Sequence, residues 1–472
     1  MTDLYQLTMM QGFFKNGMHK RIAFFDLFFR TQDQINYAIM AGLEQVVDYI
    51  KNLKFSDSDI DYLKSLNLFD TDFLKYLKDF KFTGDIFSVE EGEVVFPNEP
   101  ILIVKAPMGQ AQLIETTLLN IINHQTLIAS KAARIVEAAG EAQVIEFGLR
   151  RAQGPDAGIY GTRAAMIGGC NGTSNVMSAK LFNILAKGTH GHSFVQSFNS
   201  ESEAFRAFSK VYPDSCLLLV DTYDTLKSGV PNAIKIFNEL KQAGHKPLGI
   251  RLDSGDLAYL SKAARVMLDK AGFSDTVIFA SNDIDEHLIE QLKLQGAKID
   301  VYGVGTKLIT SADMPSLGGV YKLAALEEEN GNIKSVMKFS DSEFKMTNPA
   351  FKNLYRIYSG DSGMAYADLI TLNGEELDNP LTLTHPTERY REVTLTDYTA
   401  RPMLKQIFYG GKLVYKIPTL KATIEFSRKE KQKFWAEHKR ITRPQIYKVN
   451  LSNGLYKLKQ AIILSATPKV SQ

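Results

Sequence analysis

The segment from Gly188 to Phe194 brings side chains that can do chemistry together in one turn. It lies where a helical pattern gives way to an extended one, and it places these polar residues between glycines: Thr189, His190, His192 and Ser193. A neutral imidazole can act as a nucleophile or as a metal ligand, and neighbouring hydroxyl groups can bind the same ligand. A histidine pair in a turn can also be only a hydrogen-bonded loop, so this segment alone leaves its role open.

Charged side chains follow several short apolar segments elsewhere in the chain. They are Asp221, Asp224, Asp253, Asp256, Asp283, Arg150, Arg151 and Arg251. Carboxylates can hold ribose hydroxyls or Mg²⁺, and arginines can bind a phosphate or a carboxylate bidentately. A later turn, Gly303-Val-Gly305-Thr306, can offer backbone N–H groups to a phosphate. This combination suits a phosphorylated sugar as ligand.

Each of these features has a simpler interpretation. An aspartate after a strand can merely cap the following helix, as Asp253 or Asp256 could, and Phe147 can be core packing or a ring for stacking. The pair His190 and His192 matches the H-x-H pattern of metal-dependent barrel hydrolases. The later turns supply Asp, Asn and Gly instead of further histidines, so we expect no catalytic metal held by protein side chains.

A regular alternation of strands and helices between about 143 and 326 must position these turns. The predicted strands are Val144–Phe147, Ser193–Val195, Cys216–Asp221, Leu248–Leu252, Val277–Ala280, Ile299–Tyr302 and Tyr321–Ala324. The alternation predicts a parallel sheet, and the number of repeats favours a closed or partly closed barrel. In such a fold the polar turns share the rim that carries the active site.

The flanking regions have other patterns. Residues 1–82 are mostly helical in pattern with a buried strand at Ile22–Phe29, residues 84–107 are β-rich, and a long helix is predicted for Gln110–Ala139. The chain becomes β-rich again after about 332. The sequence therefore predicts the segments 1–110, 111–330 and 331–472 as an N-terminal α+β part, an α/β barrel and a C-terminal part.

Composition excludes several classes of protein. The chain has 55 Lys and Arg against 53 Asp and Glu, so no global charge attracts nucleic acid or a membrane. No apolar stretch is long enough to predict a membrane span, and the amphipathic N-terminus does not match a signal peptide. The two cysteines, Cys170 and Cys216, lie far apart, which favours a reducing cytoplasm over a disulfide framework.

Motifs along nearly the whole chain resemble the nicotinate phosphoribosyltransferase family. They are Thr2-Asp-Leu-Tyr-Gln6, Phe25-Asp-Leu-Phe-Phe-Arg30, the segment from Glu146 to Asp156, Gly188-Thr-x-x-His192-Ser, Val220-Asp-Thr-Tyr-Asp224, Arg251-Leu-Asp-Ser-Gly-Asp256 and Gly303-Val-Gly-Thr306. The resemblance implies an irregular α/β barrel packed against an α+β domain built from both chain ends, in a homodimer whose subunits share the active site. It also implies transfer of phosphoribosyl from phosphoribosyl pyrophosphate (PRPP) to nicotinate, coupled to ATP hydrolysis, in NAD biosynthesis.

The resemblance also implies roles for individual residues. His192 would accept the ATP phosphoryl group, and Asp253 would steady the positive charge that develops at C1 of the ribose. The nicotinate site would comprise Tyr5 from the partner subunit, Phe147, Arg150, Thr189 and Arg251. PRPP would be held by Asp221, Asp224, Gly303, Gly305 and Thr306, with Mg²⁺ carried mainly on its pyrophosphate. His190 falls at a variable position of its motif and is expected to be structural.

The sequence is compatible with other substrates and functions. Related nicotinamide-using enzymes carry an Asp in the turn where this chain has Gly172-Thr-Ser174. That Asp would accept a hydrogen bond from an amide and repel a carboxylate, so Ser174 favours the acid as substrate. A metal-dependent barrel hydrolase is the alternative from another enzyme class, and a nucleotide-sensing relative without turnover is the non-enzymatic one.

Overall fold

The computed structural model of the 472-residue chain describes residues 1–30, 36–339, 346–386 and 392–466. Its α-helices are α1 (Leu4–Lys15), α2 (Leu43–Asn52), α3 (Asp57–Ser65), α4 (Thr71–Lys78), α5 (Met108–Leu113), α6 (Glu115–Ala139), α7 (Pro155–Gly168), α8 (Val176–Phe182), α9 (His192–Gln196), α10 (Glu201–Val211), α11 (Val230–Gln242), α12 (Leu257–Lys270), α13 (Glu286–Leu294), α14 (Thr306–Ile309), α15 (Leu420–Gln432), α16 (Ala436–Lys439) and α17 (Asn453–Ala466). Short 3₁₀ turns lie at Leu149–Arg151 and Pro213–Ser215, and a π-helical turn lies at Thr225–Gly229.

The strands occupy the ranges that the apolar segments predict in most places. They are β1 (Ile22–Phe29), β2 (Ala38–Ile39), β3 (Asp85–Ser88), β4 (Val94–Val95), β5 (Leu102–Pro107), β6 (Gln143–Glu146), β7 (Gly172–Thr173), β8 (Leu217–Leu219), β9 (Gly249–Leu252), β10 (Val277–Ser281), β11 (Val301–Val304), β12 (Gly319–Glu327), β13 (Ile333–Ser335), β14 (Lys352–Ser359), β15 (Ala365–Leu372), β16 (Leu381–Thr384), β17 (Glu392–Leu395), β18 (Tyr398–Pro402), β19 (Lys405–Tyr409), β20 (Lys412–Leu413) and β21 (Val449–Leu451).

The chain divides into compact units. One unit is Ile128–Pro315, and the other combines Met1–Leu127 with Ser316–Gln472. The sequence placed the limits of the central segment at 111 and 330. The first boundary between the units falls between Leu127 and Ile128, inside helix α6, so no turn or linker marks it in the sequence.

The unit 128–315 is built on a parallel sheet in the order β7-β6-β11-β10-β9-β8. In the described structure β7 and β8 are its outer strands and do not pair with each other, so the curled sheet is a half-barrel and not a closed barrel. This agrees with the predicted partly closed barrel. A buried cluster of Ile145, Leu217, Phe279 and Val301 packs on one face of the sheet, because alternate residues of each strand point to the same face.

Two predicted barrel strands are wrong. Ser193–Val195 lies within helix α9, where the amide of Phe194 donates to the carbonyl of Gly191 at 3.1 Å. Tyr321–Ala324 does form a strand, but it belongs to β12, which pairs antiparallel with β1 in the other unit. An apolar run of this length does not specify its partner, since pairing depends on contacts distant in sequence.

The unit formed by both chain ends contains the predicted buried strand Ile22–Phe29 as β1, between antiparallel β12 and β5. Its larger sheet has the order β13-β12-β1-β5-β3-β19-β20, and a further sheet has the order β17-β16-β21-β15-β14-β18. The predicted helix Gln110–Ala139 is interrupted at Ile114, between α5 and α6.

Candidate active site

Turns at the carboxyl ends of the parallel strands carry most of the predicted site residues. Phe147 and Arg150 follow β6, Asp221 and Asp224 follow β8, and Asp253 follows β9. Because the strands are parallel, these turns emerge at the same edge of the sheet. The half-barrel therefore brings together side chains that are more than 100 positions apart in sequence.

His192 is the first residue of α9 and is partly exposed at this rim. Its Nδ1 lies 3.1 Å from the hydroxyl oxygen of Thr222, and its Nε2 lies 3.7 Å from Oδ2 of Asp253. One ring nitrogen is thus engaged by a hydroxyl group while the other faces a carboxylate, which fixes the orientation of the ring. The side chain keeps 40% of its surface accessible to solvent, so a ligand can reach it.

Asp253 is fixed by neighbours on two strands. Its Oδ1 accepts from Nη2 of Arg251 at 2.8 Å and from the hydroxyl of Ser281, and Nε of Arg251 donates to the same hydroxyl oxygen at 2.9 Å. These contacts leave Oδ2 directed toward His192. The arrangement presents an oriented carboxylate at the rim, as stabilisation of a developing positive charge requires.

Asp221 holds the turn that carries Asp253. Its Oδ2 accepts from the amide of Asp253 at 2.8 Å and from the hydroxyl of Ser254 at 2.6 Å. Its Oδ1 is buried and has no hydrogen-bond partner in the described part of the chain. A buried acceptor without a partner is costly, so a donor or cation supplied by a ligand would stabilise this oxygen.

An aromatic pair lies under the rim. The ring of Phe147 stacks on that of Phe279 with centroids 5.5 Å apart, and the guanidinium carbon of Arg251 lies 5.5 Å from the Phe147 centroid. Gly303 lies beneath both rings, and a Cβ there would approach Phe279 to 2.6 Å and Phe147 to 2.9 Å. The aromatic pair therefore explains the glycine at 303 without any ligand.

The remaining predicted residues have these positions. Gly305 precedes α14, and Thr306 is the first residue of that helix. Arg150 is exposed on the turn after β6. The carboxylate of Asp224 accepts from the amides of Leu226 and Lys227, and these bonds, the one from Lys227 first, lower its pKa. Asp224 thus caps the π-helical turn, and Asp256 caps α12 through the amide of Tyr259 at 2.9 Å.

Thr189 and His190 bind the outer edge of β8. The hydroxyl of Thr189 donates to the carbonyl of Leu217 at 2.5 Å, and Nε2 of His190 accepts from the amide of Leu219 at 3.3 Å. Two successive side chains thereby replace the neighbour that an edge strand lacks. His190 also packs among the rings of Phe194, Phe205 and Phe208, so this contact fixes the segment that leads to His192.

His190 should make folding stability depend on pH. Burial lowers the pKa of His190 from 6.5 to about 4, so the folded protein keeps the ring neutral while an unfolded chain binds a proton at higher pH. Stability from this residue is therefore complete above pH 6.5 and is lost as the pH falls toward 4. In His190→Phe we expect the free energy of unfolding at pH 7 to fall by roughly 1–3 kcal/mol, because the amide of Leu219 loses its acceptor. We also expect that free energy to decrease less between pH 7 and pH 5 than in the wild type. Urea unfolding at pH 7 and pH 5 measures both, and an unchanged pH dependence would contradict this role.

Tyr5 belongs to the other unit. It is exposed on α1, whose N-terminal segment is held at three points: Gln6 donates to Glu115 at 2.9 Å, Thr116 donates to the Asp3 carboxylate at 2.7 Å, and Thr117 donates to the carbonyl of Met1 at 2.7 Å. Burial raises the pKa of Tyr5, with a further contribution from Glu115. The start of the chain is thus anchored, and the phenol ring remains available.

The histidine pair does not form a metal site in this structure. His190 is buried against Leu219, while His192 faces Thr222 and Asp253. Within the described ranges, no group of three or more His, Cys, Asp or Glu side chains is arranged to hold a metal ion. The two imidazoles therefore face different neighbours, whereas a shared metal ion would need both directed at one point.

Sequence reasoning missed Thr222 and Ser281. Each is a single hydroxyl residue in a turn whose aspartates are the more conspicuous signal, and each contacts a predicted catalytic side chain. No periodicity marks such residues. Their position directly beside the strand-end aspartates was the available signal.

The parallel half-barrel, with polar turns at the carboxyl ends of its strands, has the architecture of α/β-barrel enzymes, which keep their active sites at this rim. Comparison with known proteins then gives the family. Family models match at residues 1–123 (nicotinate phosphoribosyltransferase N-terminal domain), 142–359 (nicotinate phosphoribosyltransferase family) and 351–459 (C-terminal domain).

Individual relatives agree with these models. The chain is 45% identical to nicotinate phosphoribosyltransferase of Bacillus subtilis, over 100% of this chain and 96% of the relative. It is 34% identical to that of Caenorhabditis elegans, over 99% of this chain and 94% of the relative. The crystal structure of human nicotinic acid phosphoribosyltransferase matches with a TM-score of 0.84 at 28% identity, over 98% of this chain and 100% of that one. The chain belongs to the nicotinate phosphoribosyltransferase family and is an enzyme.

Proposed function

We propose that the chain transfers phosphoribosyl from PRPP to nicotinate, with release of pyrophosphate and with ATP hydrolysis coupled to turnover, as a step in NAD biosynthesis. The convergence of His192 and Arg251 on the carboxylate of Asp253 is the observation that carries this proposal. It combines a nucleophile, a fixed carboxylate and a cation at one rim. This is the set of groups that a phosphosugar reaction driven by a phosphoryl donor requires.

The transfer step depends on the charge of Asp253. The bond from C1 of the ribose to pyrophosphate breaks, positive charge develops at C1, and the ring nitrogen of nicotinate forms the new bond. Ser281 and Arg251 hold Asp253 in one orientation, so its carboxylate needs no reorganisation to stabilise that charge.

His192 is the proposed acceptor of the ATP phosphoryl group. If Nδ1 carries the proton and donates to Thr222, Nε2 is left with the lone pair that attacks the γ-phosphorus, and ADP leaves. Phosphohistidine would then add negative charge beside Asp253 and change the binding of ligands at the rim.

Nicotinate would bind between charged and aromatic groups. Arg150 is exposed and Arg251 lies over Phe147, so a carboxylate and an aromatic ring could both be recognised here. The hydroxyl of Thr189 donates to the carbonyl of Leu217, so its oxygen can still accept a hydrogen bond from a ligand. Ser174 offers no charge that would repel an acid.

PRPP would bind through Asp221, Asp224, Gly305 and Thr306, and Gly303 lies near the end of β11 in the same Gly303-Val-Gly-Thr306 segment. The partnerless Oδ1 of Asp221 is suited to a ribose hydroxyl or to a cation. Mg²⁺, bound chiefly by pyrophosphate oxygens, would neutralise charge on the leaving group.

An assay with each substrate omitted in turn tests the proposed function. With nicotinate, PRPP, Mg²⁺ and ATP we expect nicotinate mononucleotide and pyrophosphate, and without nicotinate or PRPP no nucleotide. Nicotinamide in place of nicotinate should give little product. Equal use of nicotinamide would identify the alternative substrate, and absence of pyrophosphate release with either pyridine would refute the transferase proposal.

We further propose a homodimer in which Tyr5 of one subunit completes the nicotinate site of the other. Exposed apolar side chains support an interface in each unit: Leu4, Tyr5 and Met9 on α1, and Val176, Met177 and Leu181 on α8. Exposed apolar groups of this kind are typical of interaction surfaces. No described helix is long and apolar enough to cross a membrane.

We propose a cytoplasmic location, because the two cysteines, Cys170 and Cys216, lie far apart in the sequence and neither belongs to a C-x-x-C pair.

A mixing experiment tests the shared site. Tyr5→Ala and His192→Ala should each have little ATP-coupled activity, and dimers re-formed from an equal mixture should recover about a quarter of the wild-type rate, because half are hybrids with one intact site. Separately purified variants assayed without subunit exchange are the control. No recovery despite demonstrated exchange would show that Tyr5 and His192 act within one subunit.

A further inference from the structure

Glu146 is a fully buried carboxylate at the centre of a hydrogen-bond network near the rim. It ends β6, and its Oε1 accepts from the backbone amide of Gly148. Its Oε2 accepts from the hydroxyl of Thr173 and from that of Thr162 at 3.0 Å. The side chain therefore joins the turn after β6 to α7 and to β7.

The network requires an acceptor at both carboxylate oxygens. The hydroxyl of Thr162 has a single proton, which is shared between Glu146 and the carbonyl of Gly158; the hydroxyl oxygen lies 2.8 Å from that carbonyl oxygen. The side-chain amide of Asn175 also donates to the carbonyl of Gly158, at 3.2 Å. The hydroxyl oxygen of Thr173 also accepts from the backbone amide of Asn175 at 2.9 Å. An ionised carboxylate can only accept, whereas a glutamine would point an N–H₂ group at one of these donors.

The position of Glu146 connects it with the proposed nicotinate site. Burial raises the pKa of Glu146, while the bonds from Thr173, Gly148 and Thr162 oppose that rise. A carboxyl group is costly to bury, and this one lies where two turns of the proposed nicotinate site meet. The backbone carbonyl of Glu146 also accepts from the amide of Ser174 at 3.0 Å.

We propose that Glu146 is a positioning residue that sets the Phe147–Arg150 turn relative to Ser174 and so determines the affinity for the pyridine carboxylate. The inference rests on the proposed function and deepens it. Glu146 has no exposed surface, so it acts through the residues that it holds and does not touch the substrate.

Steady-state kinetics of Glu146→Gln test this role. We expect the KM for nicotinate to rise about tenfold, as for one misplaced buried hydrogen bond, while the KM for PRPP and the phosphorylation of His192 by ATP change less than about twofold. The matched control is Glu286→Gln, which alters another buried carboxylate of the same unit, paired with Lys131 at 2.8 Å. It should lower thermal stability without a selective change in KM for nicotinate.

Variants of Thr173 decide the matter if Glu146→Gln does not fold. Thr173→Val removes the hydroxyl that donates to Glu146 and should reproduce the selective rise in KM, whereas Thr173→Ser should retain nearly wild-type values. Equal rises in both KM values, or none in either Glu146→Gln or Thr173→Val, would overturn the inference. An inactive wild-type enzyme would instead refute the proposed function, so the two failures are distinguishable.

Discussion

Replacing Asp253 with asparagine should lower kcat for nicotinate mononucleotide formation by about 10²–10³-fold, the usual loss when one fixed electrostatic group is removed. Asparagine keeps the shape of the side chain and can still accept from Arg251 and Ser281 at Oδ1. It removes the negative charge that faces C1 of the ribose in the proposed reaction. The effect should therefore fall on kcat more than on the KM values, because that charge acts mainly in the transition state.

Asp256→Asn is the matched control for this prediction. Asp256 lies in the same turn, but its carboxylate caps α12, and asparagine is itself a good cap residue. We expect its kcat to remain within about twofold of the wild type, since it touches no proposed ligand. If the kcat of Asp253→Asn were also within about twofold of the wild-type value, the carboxylate of Asp253 would have no electrostatic role in transfer.

His192→Ala should abolish coupling to ATP. With γ-labelled ATP, the wild type should acquire acid-labile phosphate, and the variant should show only background labelling because no other side chain replaces Nε2. Nicotinate turnover should then no longer respond to ATP. Gel analysis after acid and alkaline treatment measures the label, and acid-labile, alkali-stable phosphate identifies a phosphorylated nitrogen.

Two further variants make the labelling test specific. His287→Ala removes an exposed histidine of α13 and should leave labelling unchanged. Thr222→Val removes the hydroxyl that orients His192 and should slow labelling, whereas Thr222→Ser should preserve it. Full labelling of His192→Ala would assign the phosphoryl group elsewhere.

Much of the half-barrel could be predicted because its signals are local. Apolar runs such as those at β9 and β10, each followed by a turn that contains two aspartates, predict parallel strands that end at one rim. Motif resemblance then suggested roles for His192 and Asp253, and the structure places these residues side by side.

The remaining features depend on contacts that are distant in sequence. The prediction of a strand at Ser193–Val195 is wrong because the side chains of Thr189 and His190, and not a neighbouring strand, bind the edge of β8. Thr222 and Ser281 gain their importance only when separate turns meet. Likewise, the requirement for glycine at 303 arises from the rings above it, which no local pattern reveals.

The contact of Thr189 and His190 with β8 also has a consequence for self-association. An exposed strand edge offers unpaired amides and carbonyls to other chains, and β8 is an apolar strand, Leu217–Leu219, at the end of its sheet. The loop that delivers His192 occupies that edge. A substitution that displaces this loop would therefore expose the edge of β8 to pairing with other chains and would also move His192. The same substitution would cause both aggregation and loss of activity.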